Sequence, residues 1–531
     1  MPEFPMQAPA QTRSLWMWYP VPEFAPLTTD ARAEVCVIGA GIAGMTTAYM
    51  LAKKGRKVIV VDDGPVGNGM SARTTAHLMS AMDDRYYELE RLHGEEGART
   101  AAQSHAAAID AIESIVKHES IDCDFTRVDG YLFLPPDGDP DELVLEYGAA
   151  LRAGVAGLEW VDRAPIDGID TGRCLRFPRQ GQFHPLKYLN GLARALERFG
   201  CPIHSNVHAS SVEDGDKPVV HTSTGHRIDC DAVVVATNVP FNDRVAIHTK
   251  QAPYLTYVIA MRVPRGSVVP ALYWDTLDAY HYVRLNAPDG DVLIVGGEDH
   301  KTGQADDAET RYSRLELWAR ERFPVAREVL HRWSGQVMET MDYLAYIGRN
   351  PGDRNVYIAT GDSGMGMTHG TIAGIILADL IHGVAVPWAD LYDPSRVTLK
   401  SAREFARENA NVAWQYTDWL KAGDVDSIAN IQPGSGAIVR RGVHVIAAYR
   451  DATGELHEMS AACTHLGCVV RWNHNENTWD CKCHGSRFDA LGEVISGPAV
   501  EALRPVEASA DPDVAVSRPG EEPSPNNRPR H

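Results

Sequence analysis

Glu34-Val-Cys-Val-Ile38 runs directly into Gly39-Ala-Gly41-Ile-Ala-Gly44 and a helix-like stretch from Met45 to Lys54, and Lys57-Val-Ile-Val-Val61 then ends in Asp62. Strand, glycine-rich turn, helix, strand and acid in this order form the dinucleotide-binding fingerprint in its required context. Gly39 allows the tight turn, Gly41 lets the backbone approach a pyrophosphate, and Gly44 lets helix and strand pack closely. The helix N-terminus favours the anion. Asp62 follows Gly39 at about 20 residues, the reach needed for a ribose hydroxyl. An ordinary glycine-rich strand-to-helix turn would need neither the second strand nor the acid.

Working outward, three features favour FAD over NAD. Gly67-Asn-Gly-Met-Ser71-Ala-Arg73-Thr-Thr-Ala-His77 follows the acidic strand and offers small residues and hydroxyls to a chain crossing close to a flavin. Far downstream, Asn355-Val-Tyr-Ile-Ala-Thr360 enters Gly361-Asp-Ser-Gly364-Met-Gly366-Met-Thr-His-Gly370 and a helix-like stretch from Thr371 to His382. A helix N-terminus there favours negative charge at the pyrimidine end of a reduced flavin. No second fingerprint follows a strand elsewhere. The residues expected at the cofactor are Gly39, Gly41, Gly44, Asp62, Asp63, Ser71, Arg73, Thr74, Thr75, His77, Val207, Ala236, Thr237, Gly361, Gly364, Met365, Gly366 and Met367.

A second signal lies near the C-terminus, in Cys463-Thr-His465-Leu-Gly-Cys468 and Cys481-Lys-Cys483-His484-Gly-Ser486. Two Cys and two His in this arrangement suit a Rieske [2Fe-2S] cluster, with Cys463 and Cys481 on one iron and His465 and His484 on the other. Zinc is the competing reading. Six Cys and His in the two loops exceed what one zinc needs, and Gly485-Ser486 and Gly497-Pro498-Ala499 flank them as a Rieske site expects. A mononuclear iron oxygenase is disfavoured, because it needs two His and a carboxylate on a catalytic domain that follows the Rieske domain. Here only a short tail follows, and His204 and His208 read as strand and surface histidines.

On Val37-Ile-Gly-Ala-Gly-Ile-Ala-Gly44, Asp342-Tyr-Leu-Ala-Tyr-Ile-Gly348 and the Thr360–Gly370 loop, residues 30 to 390 resemble the D-amino-acid oxidase superfamily of FAD-dependent oxidoreductases. The whole chain is similar to its bacterial branch carrying a C-terminal Rieske domain. The resemblance implies FAD, amine or amino-acid substrates, and hydride transfer to flavin N5. It places His77 where relatives bring residues to the flavin, some through a covalent histidyl link; a noncovalent His is expected here. The cluster loops resemble Rieske domains of quinol-oxidising respiratory complexes, in which the pair matching Cys468 and Cys483 forms a disulfide. Ser486 stands where those proteins have a serine donating to a sulfide. Phe488 replaces a donating tyrosine, and Lys482 replaces a proline and adds a charge beside the cluster.

The expected fold class is α/β, α+β overall: a doubly wound FAD-binding domain with an inserted antiparallel-sheet substrate domain, then an all-β Rieske domain. Residues 31–120 with 185–250 and 340–390 form the FAD-binding domain, and 121–184 with 251–339 the substrate domain, whose alternating strands suit a sheet with one wet face. Residues 1–30 read as an ordered arm, 391–427 as a helical connector with one long amphipathic helix over 397–421, 428–515 as the Rieske domain and 516–531 as a disordered tail. The candidate substrate contacts are His77, Tyr254, Tyr257, Tyr282, Arg284 and His300, with Arg284 able to pair a carboxylate bidentately.

The 531 residues carry 51 Lys and Arg against 71 Asp and Glu, a net charge of −20 that opposes nucleic-acid binding. No secretory leader and no apolar run of membrane-spanning length is found, so a cytoplasmic protein is expected. Cys36, Cys123, Cys174, Cys201 and Cys230 read as buried free thiols. The leading functional expectation is an amine or amino-acid dehydrogenase that passes electrons from FAD to its own cluster and then to an external one-electron acceptor. The alternatives are an external donor feeding the cluster to reduce FAD, and an electron-transfer or redox-sensing protein.

Overall fold

Strands that are apolar without alternation have no wet face, and here they build a buried parallel sheet. In the computed structural model, which describes residues 12–242, 247–286 and 289–506, this sheet has six strands. Their order is Tyr346–Arg349, Val356–Thr360, Ala232–Val235, Val35–Ile38, Val58–Val61 and Ile203–His204. All pairs are parallel except the edge pair of Tyr346–Arg349 with Val356–Thr360. The four central strands are buried along their whole length. The chain enters this sheet near residue 35, leaves it and returns three times, near residues 203, 232 and 346.

What it builds in between is a nine-stranded, mostly antiparallel sheet. Val329–Thr340, Gln251–Arg262 and Val292–Lys301 form one side of it, followed by Tyr282–Leu285, Leu272–Asp275, Thr126–Phe133 and Cys174–Gln182. The short strand His77–Leu78 pairs with Cys174–Gln182, which brings the loop after the fingerprint onto the edge of this second sheet. The C-terminal part carries two small sheets, Ser435–Arg441 to Leu456–Ser460 with three strands and Val470–Asn473 to Val494–Ser496 with four.

Several elements differ from the sequence reading. The helix after the fingerprint begins earlier, at Ile42, directly after Gly41. The helix expected over 96–118 extends over Tyr86–Glu119 and bends at Gly94, whose φ is +75°. The single long helix over 397–421 is broken into a 3-10 turn Leu399–Ser401, a helix Ala402–Gln415 and a 3-10 turn Tyr416–Leu420. Tertiary anchors explain the last break: the Tyr416 hydroxyl donates to the Leu466 carbonyl at 2.9 Å, and Trp419 Nε1 donates to the Gly467 carbonyl at 3.0 Å. The arm is described from Thr12, and Trp16 is fully buried with its Nε1 donating to the Thr74 carbonyl at 2.6 Å. The tail 516–531 and residues 507–515 lie outside the described residues. Among the described residues no helix is long and apolar enough to cross a membrane.

One buried ion pair locks the return into the parallel sheet. Asp342 accepts from Arg396 Nη2 at 2.7 Å, from Arg396 Nε at 2.8 Å and from the Thr398 hydroxyl at 2.8 Å. The guanidinium also lies 3.9 Å from the centre of the Tyr346 ring. Burial pushes the Asp342 carboxyl up, but Arg396 and its hydrogen bonds outweigh this and hold it at about 2. A carboxyl held below its ordinary value of 3.8 contributes stability above that value and loses it as pH falls toward about 2. Asp342→Asn should therefore cost about 3 kcal/mol at neutral pH. It should also flatten the fall in stability between about pH 4 and 2, read by thermal unfolding across that range.

Candidate functional site

The fingerprint turn is as tight as a backbone allows. A Cβ on Gly44 would lie 1.8 Å from the Gly39 carbonyl oxygen, and one on Gly39, whose φ is +109°, would lie 2.4 Å from the Ala236 carbonyl oxygen. Ser71 Oγ accepts from the Ile42 N–H at 3.0 Å, tying the next loop to the helix start. Asp62 accepts from the Ala40 N–H at 2.5 Å and the Gly64 N–H at 2.8 Å, so its carboxylate also braces the turn. Burial and the neighbouring Asp63 push it upward.

These residues open on a cavity of about 680 Å³. Of the residues expected at the cofactor, Gly39, Gly41, Asp62, Asp63, Ser71, Arg73, Thr74, Thr75, His77, Val207, Ala236, Thr237, Gly361, Gly364, Gly366 and Met367 line it. Gly44 and Met365 do not: Gly44 serves helix packing, and Met365 is buried beside the start of the helix Gly366–Ile381. A glycine cradle that any Cβ would fill, an acid beside it and a helix start across the cavity fit an extended dinucleotide. When bound, FAD would be held by the turn, by Ser71 and Thr74–Thr75, and by the start of Gly366–Ile381.

The substrate candidates divide. His77, Tyr254 and Tyr282 line the cavity. His77 Nδ1 lies 3.0 Å from the Thr75 hydroxyl and Nε2 3.3 Å from the Val283 carbonyl, and burial with the Arg284 charge lowers it to about 3, so the ring is neutral. Arg284, Tyr257 and His300 are not on the cavity wall. Arg284 is buried and donates to the carbonyls of Thr75, Ala76, Phe183 and Leu285, so its guanidinium holds the loop that carries His77. The reading of Arg284 as a carboxylate clamp is corrected accordingly. Tyr257 and His300 stack on each other, 5.7 Å between ring centres, behind the sheet.

Sequence reasoning missed the carboxylates of the cavity. Asp83, Asp84, Asp299, Glu339 and Asp362 all line it, with Tyr280, whose hydroxyl donates to Asp83 at 2.8 Å. Burial pushes Asp83 and Asp362 up to about 6 and Asp299 to about 7, and carries Asp84 and Glu339 well above the carboxylate range. The adjacent Asp83-Asp84, six residues beyond His77, was the only signal in the chain.

In the C-terminal domain Cys468 and Cys483 are joined in a disulfide with Cα atoms 6.4 Å apart. The sulfurs of Cys468, Cys481 and Cys483 lie within 4.8 Å of one another, but two of them are bonded to each other, so this trio is not a metal site. The Cys463 and Cys481 thiols are buried and in hydrogen-bonding contact, and Ser486 reaches Cys463. The His465 and His484 rings are 5.1 Å apart. Two thiols and two imidazoles on loops clamped by a disulfide fit the donor set of a Rieske [2Fe-2S] cluster. Phe488 is fully buried. The charge of Lys482 is not free, since its ammonium is paired with the buried Asp418.

The two sites share a wall. Gln336 lines the cavity and its Nε2 donates to the Gly485 carbonyl at 3.0 Å, one residue beyond His484. His248 lies edge-on to His465 at 4.9 Å and 5.9 Å from His484. Residues 494–497 with Ala499 and Val500 line the same cavity. His208 is partly buried rather than out on the surface: it lines the cavity, with Nε2 3.0 Å from the Val500 carbonyl and Nδ1 3.6 Å from Asp63. Arg73 is chiefly an anchor of this seam, paired at 3.2 Å with the fully buried Glu476 and donating to the Ser334 carbonyl at 2.8 Å.

The comparisons with known proteins agree with this geometry. The family model for FAD dependent oxidoreductases (DAO) matches residues 34–380, and that for the Rieske [2Fe-2S] domain matches residues 418–507. The chain is 32% identical over 492 residues to the Rieske 2Fe-2S iron-sulfur protein YhfW of Bacillus subtilis (strain 168), covering 92% of this chain and 96% of that one. It is 28% identical to the gamma-glutamylputrescine oxidoreductase of Escherichia coli (strain K12), over 68% of this chain and 85% of that one. Among solved structures, glycine oxidase from Geobacillus kaustophilus has the same fold over 69% of this chain and 99% of its own, with a TM-score of 0.57 and 19% identity. The chain belongs to the FAD dependent oxidoreductase family and carries a C-terminal Rieske [2Fe-2S] domain.

Proposed function

We propose that the protein is a dehydrogenase of amines or amino acids that passes electrons from FAD to its own Rieske cluster and on to an external one-electron acceptor. When bound, FAD would supply a hydride acceptor for the α-hydrogen of a neutral amine, whose nitrogen lone pair becomes the C=N bond of an iminium product, and a cluster on Cys463, Cys481, His465 and His484 would supply one-electron transfer. The observation that carries this reading is the shared wall: Gln336 touches both the cavity and the loop of His484. The chain's own residues supply position and dryness. Tyr254, Tyr280 and Tyr282 wall the cavity, and neutral His77 keeps the flavin-side loop in place without adding charge. The relatives support the chemistry, since one is named for a glutamylated diamine and the solved neighbour for glycine.

Anaerobic titration of the loaded protein with amines and amino acids should bleach the flavin absorbance and raise the EPR signal of the reduced cluster together. Bleaching without that signal would rule out the internal transfer; no bleaching would favour an external donor feeding the cluster. Arg73→Met should slow cluster reduction more than flavin reduction in stopped-flow, because it leaves Glu476 buried and unpaired in the seam. Phe488→Tyr should raise the cluster's midpoint potential in a redox titration, since a hydroxyl donating toward a cluster sulfur stabilises the reduced form.

A further inference from the structure

The cavity wall formed by the inserted sheet and two adjoining loops is strongly acidic. Asp299 and Glu339 come from strands Val292–Lys301 and Val329–Thr340, Asp83 and Asp84 from the loop after His77–Leu78, and Asp362 from the loop before Gly366–Ile381. They are near enough to act on one another: Asp83, Asp84 and Asp362 each raise Glu339, and Asp83 raises Asp299. An acidic cluster alone could be held by neighbouring cations or by hydrogen bonds. Here Ser363 serves the Glu339 carboxyl and Thr256 that of Asp299, but Glu339 Oε1 and Asp299 Oδ1 are themselves shielded from solvent and have no hydrogen-bond partner. Buried carboxylate oxygens without a donor are costly, and a donor brought by a ligand removes that cost.

Most of the cations near the wall are already committed. Of the arginines lining the cavity, Arg73 pairs with Glu476 and Arg487 with Asp480 at 3.0 Å, while Arg407 is 73% exposed beside Glu408. Arg85, behind Asp83, spends its Nη groups on the carbonyls of Asp83 and Asp275. Arg284 is held on backbone carbonyls away from the cavity. Among the described residues, then, the exposed Arg407 is the one lining arginine not held in a buried pair, and a substrate carboxylate against the wall itself would face five acids. Tyr254, Tyr280 and Tyr282 add ring faces, which attract ammonium groups.

We propose that this wall receives a substrate with two separated amino groups, a diamine or longer polyamine without a carboxylate beside the reacting nitrogen. One amine, neutral, loses its α-hydrogen; the other stays protonated and donates to Glu339 and Asp299. This deepens the dehydrogenase reading and rests on it. A bound ammonium would also draw the raised carboxyls back toward their ionised form.

The test uses the full-length protein loaded with FAD, mixed anaerobically in a stopped-flow with 1,4-diaminobutane, butylamine, alanine and lysine. The diamine should reduce the flavin about tenfold or more faster than butylamine at low concentration, the size of one charge-assisted hydrogen bond, and ahead of both amino acids. Glu339→Gln and Asp299→Asn, checked for flavin content by absorbance, should narrow the ratio between diamine and monoamine. Equal rates for the two amines would overturn the proposal, and so would faster reduction by alanine or lysine, which would leave the dehydrogenase reading standing. Reduction by none of the four would overturn both. If a variant fails to fold, the four-substrate series on the unaltered protein still decides.

Discussion

The molecule turns on the seam where the cluster loops meet the inserted sheet. At Gly485, with φ of +84°, a Cβ would lie 2.8 Å from Pro253 Cβ and 2.9 Å from Gln336 Nε2. Only a residue without a side chain lets the loop after His484 lie this close to a strand that walls the flavin cavity. The buried pair of Arg73 and Glu476 fixes the same seam from the other side, with Thr12 of the N-terminal arm donating its N–H to Glu476 at 3.1 Å. A buried pair is no strong source of stability, but removing either partner is expensive, so it specifies which surfaces meet.

That seam changes what a Rieske domain presents. His484 is buried, and the two imidazoles pack against His248 and the inserted sheet. The edge of the cluster site that bears its histidines is thus turned toward the cavity of the same chain. The cavity and the cluster loops are held by the same strands, Gln251–Arg262 and Val329–Thr340.

Charge is sorted along the same lines. Cations at the seam and in the interior are spent on fixed partners: Arg396 on Asp342, Arg487 on Asp480, Lys482 on Asp418. The cavity wall keeps its carboxylates. Sorting of this kind leaves a field that favours positive ligands in a low-dielectric cleft, where each charge acts more strongly than in water.

Much of this was legible in the chain itself. Glycine spacing, the acid after the second strand and the Cys and His pairs announce two cofactors, because those patterns are demanded by local backbone geometry and ligand chemistry. The β-branched runs at 35–38, 58–61 and 232–235 announce a buried parallel sheet for the same local reason. The acidic wall was not legible, since Asp83, Asp299, Glu339 and Asp362 are far apart in sequence and converge only when the inserted sheet and two loops pack. Nor was the fate of Arg284, which reads as a strand arginine but is consumed by carbonyls of the Thr75–Ala76 turn, nor that of Lys482, whose partner Asp418 lies outside the cluster motif. Local pattern determined which cofactors the chain is built for. Long-range packing decided which charges remain free to meet a substrate, because only folding sets which donors and acceptors find each other first.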